Sequence, residues 1–145
     1  MAWYTLPTQT KVTAIYERLT YNAGTRTAGA VNHYHRDALF FLAQQHVGPH
    51  QIWASLGLAF QGSCEVVGGG ACSTDGLGGR QWSIGYSYSL ARSADLFAAY
   101  YQMDNDRSAT HAVFPSPGTL APGSTTRGIG VGFLYTFDAA WKLAL

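Results

Sequence analysis

The stretch Gln81-Trp82-Ser83-Ile84-Gly85-Tyr86-Ser87-Tyr88-Ser89-Leu90 decides the fold class. Trp82, Ile84, Tyr86, Tyr88 and Leu90 take every second position, and Gln81, Ser83, Gly85, Ser87 and Ser89 fill the places between. Successive side chains of an extended chain point to opposite sides, so a period of two reads as a β-strand with two chemically different faces. Outward from it, Gln51 to Gln61 sets Ile52, Ala54, Leu56, Leu58 and Phe60 against Gln51, Ser55, Gly57 and Gln61, with Trp53 as the exception. Arg127 to Phe137 sets Ile129, Val131, Phe133, Tyr135 and Phe137 against Gly128, Gly130, Gly132 and Thr136, with Leu134 as the exception. Lys11 to Tyr21, Arg36 to Gln45 and Leu96 to Met103 carry apolar residues on both faces. The expectation is six strands of about ten residues within 11–137, preceded at 1–10 by the end of an earlier strand and its turn. Residues 138–145 read as an atypical C-terminal extension.

The connections alternate in length. Asn22–Asn32, Gln61–Gly79 and Asp104–Thr126 are long, whereas His46–His50 and Ala91–Asp95 are short. In an up-and-down antiparallel meander this puts every long loop at one end of the sheet and every tight turn at the other. Transmembrane β-barrels share that asymmetry, and strands of about 9 to 11 residues match a tilted crossing of the hydrocarbon layer.

Of 145 residues only 12% are charged, beside 47% hydrophobic and 14% aromatic residues. A soluble domain carries roughly a quarter charged residues, so one exposed face is expected to meet something other than water. A formal net charge of +1, with no local cluster of Lys or Arg, removes the footprint of a nucleic-acid partner. The longest apolar run, Ala38 to Ala43, is far short of the roughly 20 residues that a spanning helix needs. The small neutral residues opposite the apolar face suit a hydrated lumen better than a water-facing surface, which normally carries interspersed charges. Gln51, Ser55, Gln61, Gln81, Ser83, Ser87 and Ser89 are the candidate pore-lining residues. Tyr16, Tyr21, Tyr100, Tyr101 and Tyr135 suit the interfacial aromatic girdles of such a barrel.

Cys64 and Cys72, in a Gly-rich segment, read as one disulfide closing a short loop in preference to two unremarkable thiols, and a bridge there implies an oxidising compartment. The opening Met1-Ala2-Trp3-Tyr4 lacks a basic segment followed by an apolar stretch; a signal is expected to have been removed, or the chain to begin elsewhere than its natural start.

No catalytic, metal or cofactor site is expected. His33-Tyr34-His35 places two imidazoles on one face but fixes no third ligand. Asp104-Asn105-Asp106 has Ala109 where a calcium loop needs Gly. Gly128-Ile129-Gly130-Val131-Gly132 opens no helix and lacks the dinucleotide spacing; its glycines relieve crowding on one face of a curved strand. There is no Gly-x-Ser-x-Gly elbow, and Glu17 and Glu65 are the only glutamates; either would line a pore mouth or sit at headgroup level.

Gly79-Arg80-Gln81-Trp82-Ser83-Ile84-Gly85-Tyr86-Ser87-Tyr88-Ser89-Leu90, Asp95-Leu96-Phe97-Ala98-Ala99-Tyr100-Tyr101, Asp104-Asn105-Asp106 and Arg127-Gly128-Ile129-Gly130-Val131-Gly132-Phe133 resemble the closing strands of the general porins of betaproteobacteria. Ala14-Ile15-Tyr16-Glu17-Arg18-Leu19-Thr20-Tyr21 and His50-Gln51-Ile52-Trp53-Ala54-Ser55 resemble earlier strands of that family, in the same order. The resemblance implies a Gram-negative outer-membrane location, outer-membrane lipid as partner, homotrimers of sixteen-stranded barrels, and passive diffusion of small hydrophilic solutes. It also implies a C-terminal signature read by the barrel-assembly machinery, carried here by Ile129, Val131, Phe133, Tyr135 and Phe137. The chain departs from the family by running on through Asp138–Leu145 and by its size. Two readings follow. The chain is the C-terminal part of a porin, or Trp3–Leu6 and Ala140–Leu145 add short strands that allow a small eight-stranded barrel with a structural or ligand-binding role and no conducting pore.

Overall fold

The alternating stretches fold as strands of one antiparallel sheet. The computed structural model describes residues 1–24, 26–112 and 120–137. Its elements are β1 (Ala2–Thr5), β2 (Lys11–Asn22), β3 (Val31–Val47), β4 (His50–Ala59), β5 (Ser63–Val66), β6 (Gly79–Ala91), β7 (Ala94–Asn105) and β8 (Thr125–Tyr135). The hydrogen-bonded order is β1-β2-β3-β4-β6-β7-β8, with β5 paired to β3 off this path. This is the all-β, up-and-down meander that the periodicity predicts, and it is not closed into a barrel.

Beside the six strands of 11–137 stand the expected end of an earlier strand, β1, and one unexpected strand, β5. Ala2–Thr5 pairs with Ala14–Lys11 and so forms β1. Ser63–Val66 forms β5 because β3 starts well before Arg36 and extends past the end of β4, so the edge that β4 occupies further along is free there to pair with Cys64 and its neighbours. Gln61 lies beyond the end of β4, so the strand stops at Ala59 rather than at Gln61. β8 ends at Tyr135 rather than Phe137, although the Thr136 N–H still donates to the Ser93 carbonyl at 2.8 Å. The second proposed stub, Ala140–Leu145, and the rest of the extension lie outside the described residues.

The strands are stepped, not flush. Along the ladder Lys11 aligns with Gln44, Trp53, Gly85 and Ala99, yet β7 begins five residues further on, at Ala94. At the opposite end Asn105 aligns with Gly79, Ala59, Ala38 and Glu17, yet β2 continues five residues to Asn22. Both ends thus shift five residues over four strand-to-strand steps. With about 3.4 Å per residue and about 4.8 Å between strands, this stagger corresponds to strands tilted about 40° from the normal to the sheet ends, as in barrel walls.

Almost nothing is buried. Among the described residues no large side chain is fully buried, and the accessible surface is 10411 Å², against about 7,200 Å² expected for a compact domain of this mass. The most enclosed residue, Ala109 at 2% exposure, lies in the β7–β8 connection. There the segment after β7 zips onto the segment before β6: Asp106 N–H donates to the Gly78 carbonyl at 3.1 Å and Ser108 N–H to the Gly76 carbonyl at 2.9 Å, and Arg107 pairs with Asp75.

Candidate functional site

Register sorts the side chains into two faces. One carries Val12, Ala14, Leu39, Phe41, Ile52, Leu56, Trp82, Ile84, Leu96, Ala98, Ile129, Val131 and Phe133, with no charged residue among them. These side chains are open to the surroundings: Ile84 is 50% exposed, Ile129 78% and Val131 77%. Charges return on this face only toward the long-loop end. Arg18 Nε donates to Asp37 Oδ1 at 2.7 Å and Tyr16 Oη to the same oxygen at 2.7 Å; Arg80 Nε donates to Asp104 Oδ2 at 3.2 Å. The boundary follows the stagger, stepping from Arg18 and Asp37 in β2 and β3 to Arg80 and Asp104 in β6 and β7, then to Arg127 in β8.

The other face is the more shielded one although its residues are smaller. Ser83 is 8% exposed, and its Oγ lies 2.6 Å from Ser55 Oγ across β4 and β6. Ser87 Oγ donates to Gln51 Oε1 at 3.3 Å, and Ser89 Oγ to Asp95 Oδ1 at 2.6 Å by the β6–β7 turn. Gln51, Ser55, Gln81, Ser83, Ser87 and Ser89 therefore share this face, as their alternation predicts, while Gln61 stands past the strand end, where its carbonyl accepts from Tyr34 Oη at 3.3 Å. An open cavity of about 360 Å³ on this face touches β2, β3, β4, β6 and β7 together. The β7–β8 connection walls it too, through His111 and Ala112.

The sequence exceptions find their place here. Trp53 lies directly opposite Gly85, Phe97 opposite Gly132 and Tyr101 opposite Gly128, and in each pair a Cβ on the glycine would fall inside the ring. Phe40 contacts Gly57 in the same way, less closely. Each ring leans onto the following strand, covering its backbone instead of standing up from the wall. The girdle expectation is corrected in part. Tyr16 and Tyr135 sit at opposite ends of the apolar face, but Tyr100 is in its middle, between Ile84 and Ile129. Tyr21 and Tyr101 belong to the shielded face, because odd positions of β2 and β7 point there. Tyr86 and Tyr88 occupy the turn end instead, where Tyr86 Oη lies 2.7 Å from His50 Nδ1. Sequence reasoning missed this pair, since a His after a turn carries no periodic signal.

Of the proposed C-terminal signature, Ile129, Val131, Phe133 and Tyr135 share the exposed apolar face, with the rings of Phe133 and Tyr135 6.3 Å apart and those of Tyr135 and Phe137 6.1 Å apart. Cys64 and Cys72 are bonded, their Cα atoms 5.4 Å apart. The rings of His33 and His35 lie 5.7 Å apart, and His33 Nδ1 lies 2.6 Å from Asn22 Oδ1; among the described residues no three His, Cys, Asp or Glu side chains gather as a metal site. Comparison with protein-family models, with curated proteins and with solved structures finds no match in any of the three.

Proposed function

We propose that this chain forms part of the wall of a Gram-negative outer-membrane β-barrel, a porin through which small hydrophilic solutes and ions diffuse passively once the barrel is complete. One observation carries the reading: the faces are inverted relative to a soluble barrel. A soluble barrel turns its large apolar side chains toward the enclosed side, whereas here the enclosed side holds Ser83, Ser55 and Gly85 and the open side holds Ile84, Ile129 and Val131. Water satisfies the first set, and lipid matches the second. Measured along β6, Arg80 to Leu90 at the tilt given above spans about 26 Å of bilayer normal, close to the height of an outer-membrane apolar band. The flat aromatic rings support a lumen, since they cover the wall without filling it.

Completion requires more strands. The path contains seven strands, each antiparallel to the next, so β1 and β8 run in the same direction. Joined to each other they would make a parallel pair, whereas an odd number of added strands keeps every pair antiparallel. Sixteen in all meets this condition, and so does eight. An inner face of glycines covered by flat rings, with few side chains standing up from it, favours the larger barrel, because an eight-stranded interior is filled by its own side chains. Homotrimer formation and delivery by the barrel-assembly machinery belong to the same proposal.

The test is conductance in planar bilayers, together with the need for detergent. An open sheet with two unpaired edges cannot seal a pore, so this chain by itself is expected to give no steps, whereas the complete barrel that contains it, extracted from outer membranes in detergent and fully folded, is expected to give discrete ones. The absence of steps from that complete barrel, or a stable monomer of this chain in plain buffer, would overturn the reading.

A further inference from the structure

The concave cavity combines features that the porin reading leaves unused. Its lining includes the apolar Ile15, Phe40 and Met103, one cation, Arg36, and one anion, Glu17. The two charges are diagonal neighbours across β2 and β3: Glu17 opposes Ala38, and Leu19 opposes Arg36. Diagonal cross-strand positions lie about 7–8 Å apart, within the span of one small molecule. The charges do not pair with each other, and among the described residues Glu17 has no ion pair or hydrogen bond.

Arg36 is also without an acceptor. Its Nη1 approaches His111 Nε2 at 3.4 Å, but that nitrogen lies 3.0 Å from the Leu77 carbonyl, which requires it to be an N–H donor. The same nitrogen then offers Arg36 no lone pair. His111 and Ala112 close one side of the cavity, held by Asn105, whose Nδ2 donates to the His111 carbonyl at 2.9 Å and whose Oδ1 accepts from the His111 N–H at 2.7 Å.

We propose that this cavity binds small α-amino-acid zwitterions with an apolar side chain. The carboxylate takes the Arg36 guanidinium, for which a two-pronged contact is the favoured geometry, the ammonium takes Glu17, and the side chain covers Ile15, Phe40 and Met103. A plain carboxylate would meet Glu17 as a like charge and a plain amine would meet Arg36, so the paired arrangement selects the molecule that carries both. The inference rests on the reading of this face as open to water.

Calorimetric titration of the full chain in detergent micelles at neutral pH, with norleucine, hexanoate and hexylammonium as probes, tests it. Norleucine is expected to bind at least about tenfold more tightly than either singly charged probe. Arg36→Gln is expected to reduce it to the level of hexylammonium, and Glu17→Gln to the level of hexanoate. Norleucine binding no tighter than its singly charged counterparts on the unaltered chain overturns the proposal without reliance on any variant. Steps from the complete barrel without norleucine preference sink this site and leave the pore, whereas norleucine preference without steps from the complete barrel sinks the pore reading and leaves the site.

Discussion

Trp53 on β4 lies across Gly85 on β6, so closely that the glycine's missing Cβ is what admits the indole. The pairing explains why a tryptophan interrupts the otherwise small, polar positions of β4. It recurs on the same face with Phe97 and Gly132 and with Tyr101 and Gly128. An aromatic ring laid over a bare backbone shields that backbone and takes little room from the enclosed space.

Gly85→Ala is therefore expected to displace the Trp53 ring. Overpacking at a shielded site costs about 1–3 kcal/mol, and the loss would be read as a lower urea midpoint for the chain folded in detergent. Tryptophan emission should shift at the same time. Gly130→Ala is the control, because a Cβ there meets nothing within 4 Å; equal losses at both positions would contradict the packing.

Ile84→Arg puts a charge in the middle of the apolar face. At a bilayer midplane this costs about 2–4 kcal/mol and near the interface about 0–1 kcal/mol. Thr125→Arg, beside Asp104 at the charged end, should accordingly be mild. Folding into phospholipid vesicles followed by urea titration measures both, and similar losses would argue against a lipid-facing band.

Reduction of the Cys64–Cys72 bond should loosen the β5 segment and spare the main sheet, because β5 pairs with β3 off the principal path. A loop of this size, with a sequence separation of 8, is constrained by about 2.5 kcal/mol in the chain-entropy account. Protease cleavage between Gln61 and Gly78 should accelerate on reduction while the far-ultraviolet β-sheet signal persists. Loss of that signal would show that the bridge supports the sheet itself.

Asn105→Ala removes the side chain that bonds His111 twice and the Ser124 carbonyl once. About 2 kcal/mol of local stability should go with these contacts. Cleavage within Asp106–Ala112 is expected to quicken, with little change in the unfolding midpoint of the sheet. An unchanged cleavage rate would mean that the zipped loops, not Asn105, hold this segment.

Much of this protein was legible before its structure. The alternation from Gln81 to Leu90 is strict enough to place β6 within about two residues, and the uneven connections put every long loop at one end. The weaker segments were ambiguous for a reason now visible. In β7, Leu96 and Ala98 belong to the open apolar face, while Phe97 and Tyr101 cover the glycines of β8, so both faces carry apolar groups. β5 escaped notice because a four-residue strand offers too few alternations to count.

Local chemistry along the chain settled the antiparallel hairpins, the two-faced strands and the lack of charge between their ends, since a period of two and the residues at a turn are properties of neighbours in sequence. Three things waited for the assembled sheet: which face is shielded, how far each strand steps past the last, and that Arg36, Glu17 and His111 meet around one cavity. Each depends on register between segments far apart in the chain. A slip of one residue would exchange the faces without altering any strand's own pattern.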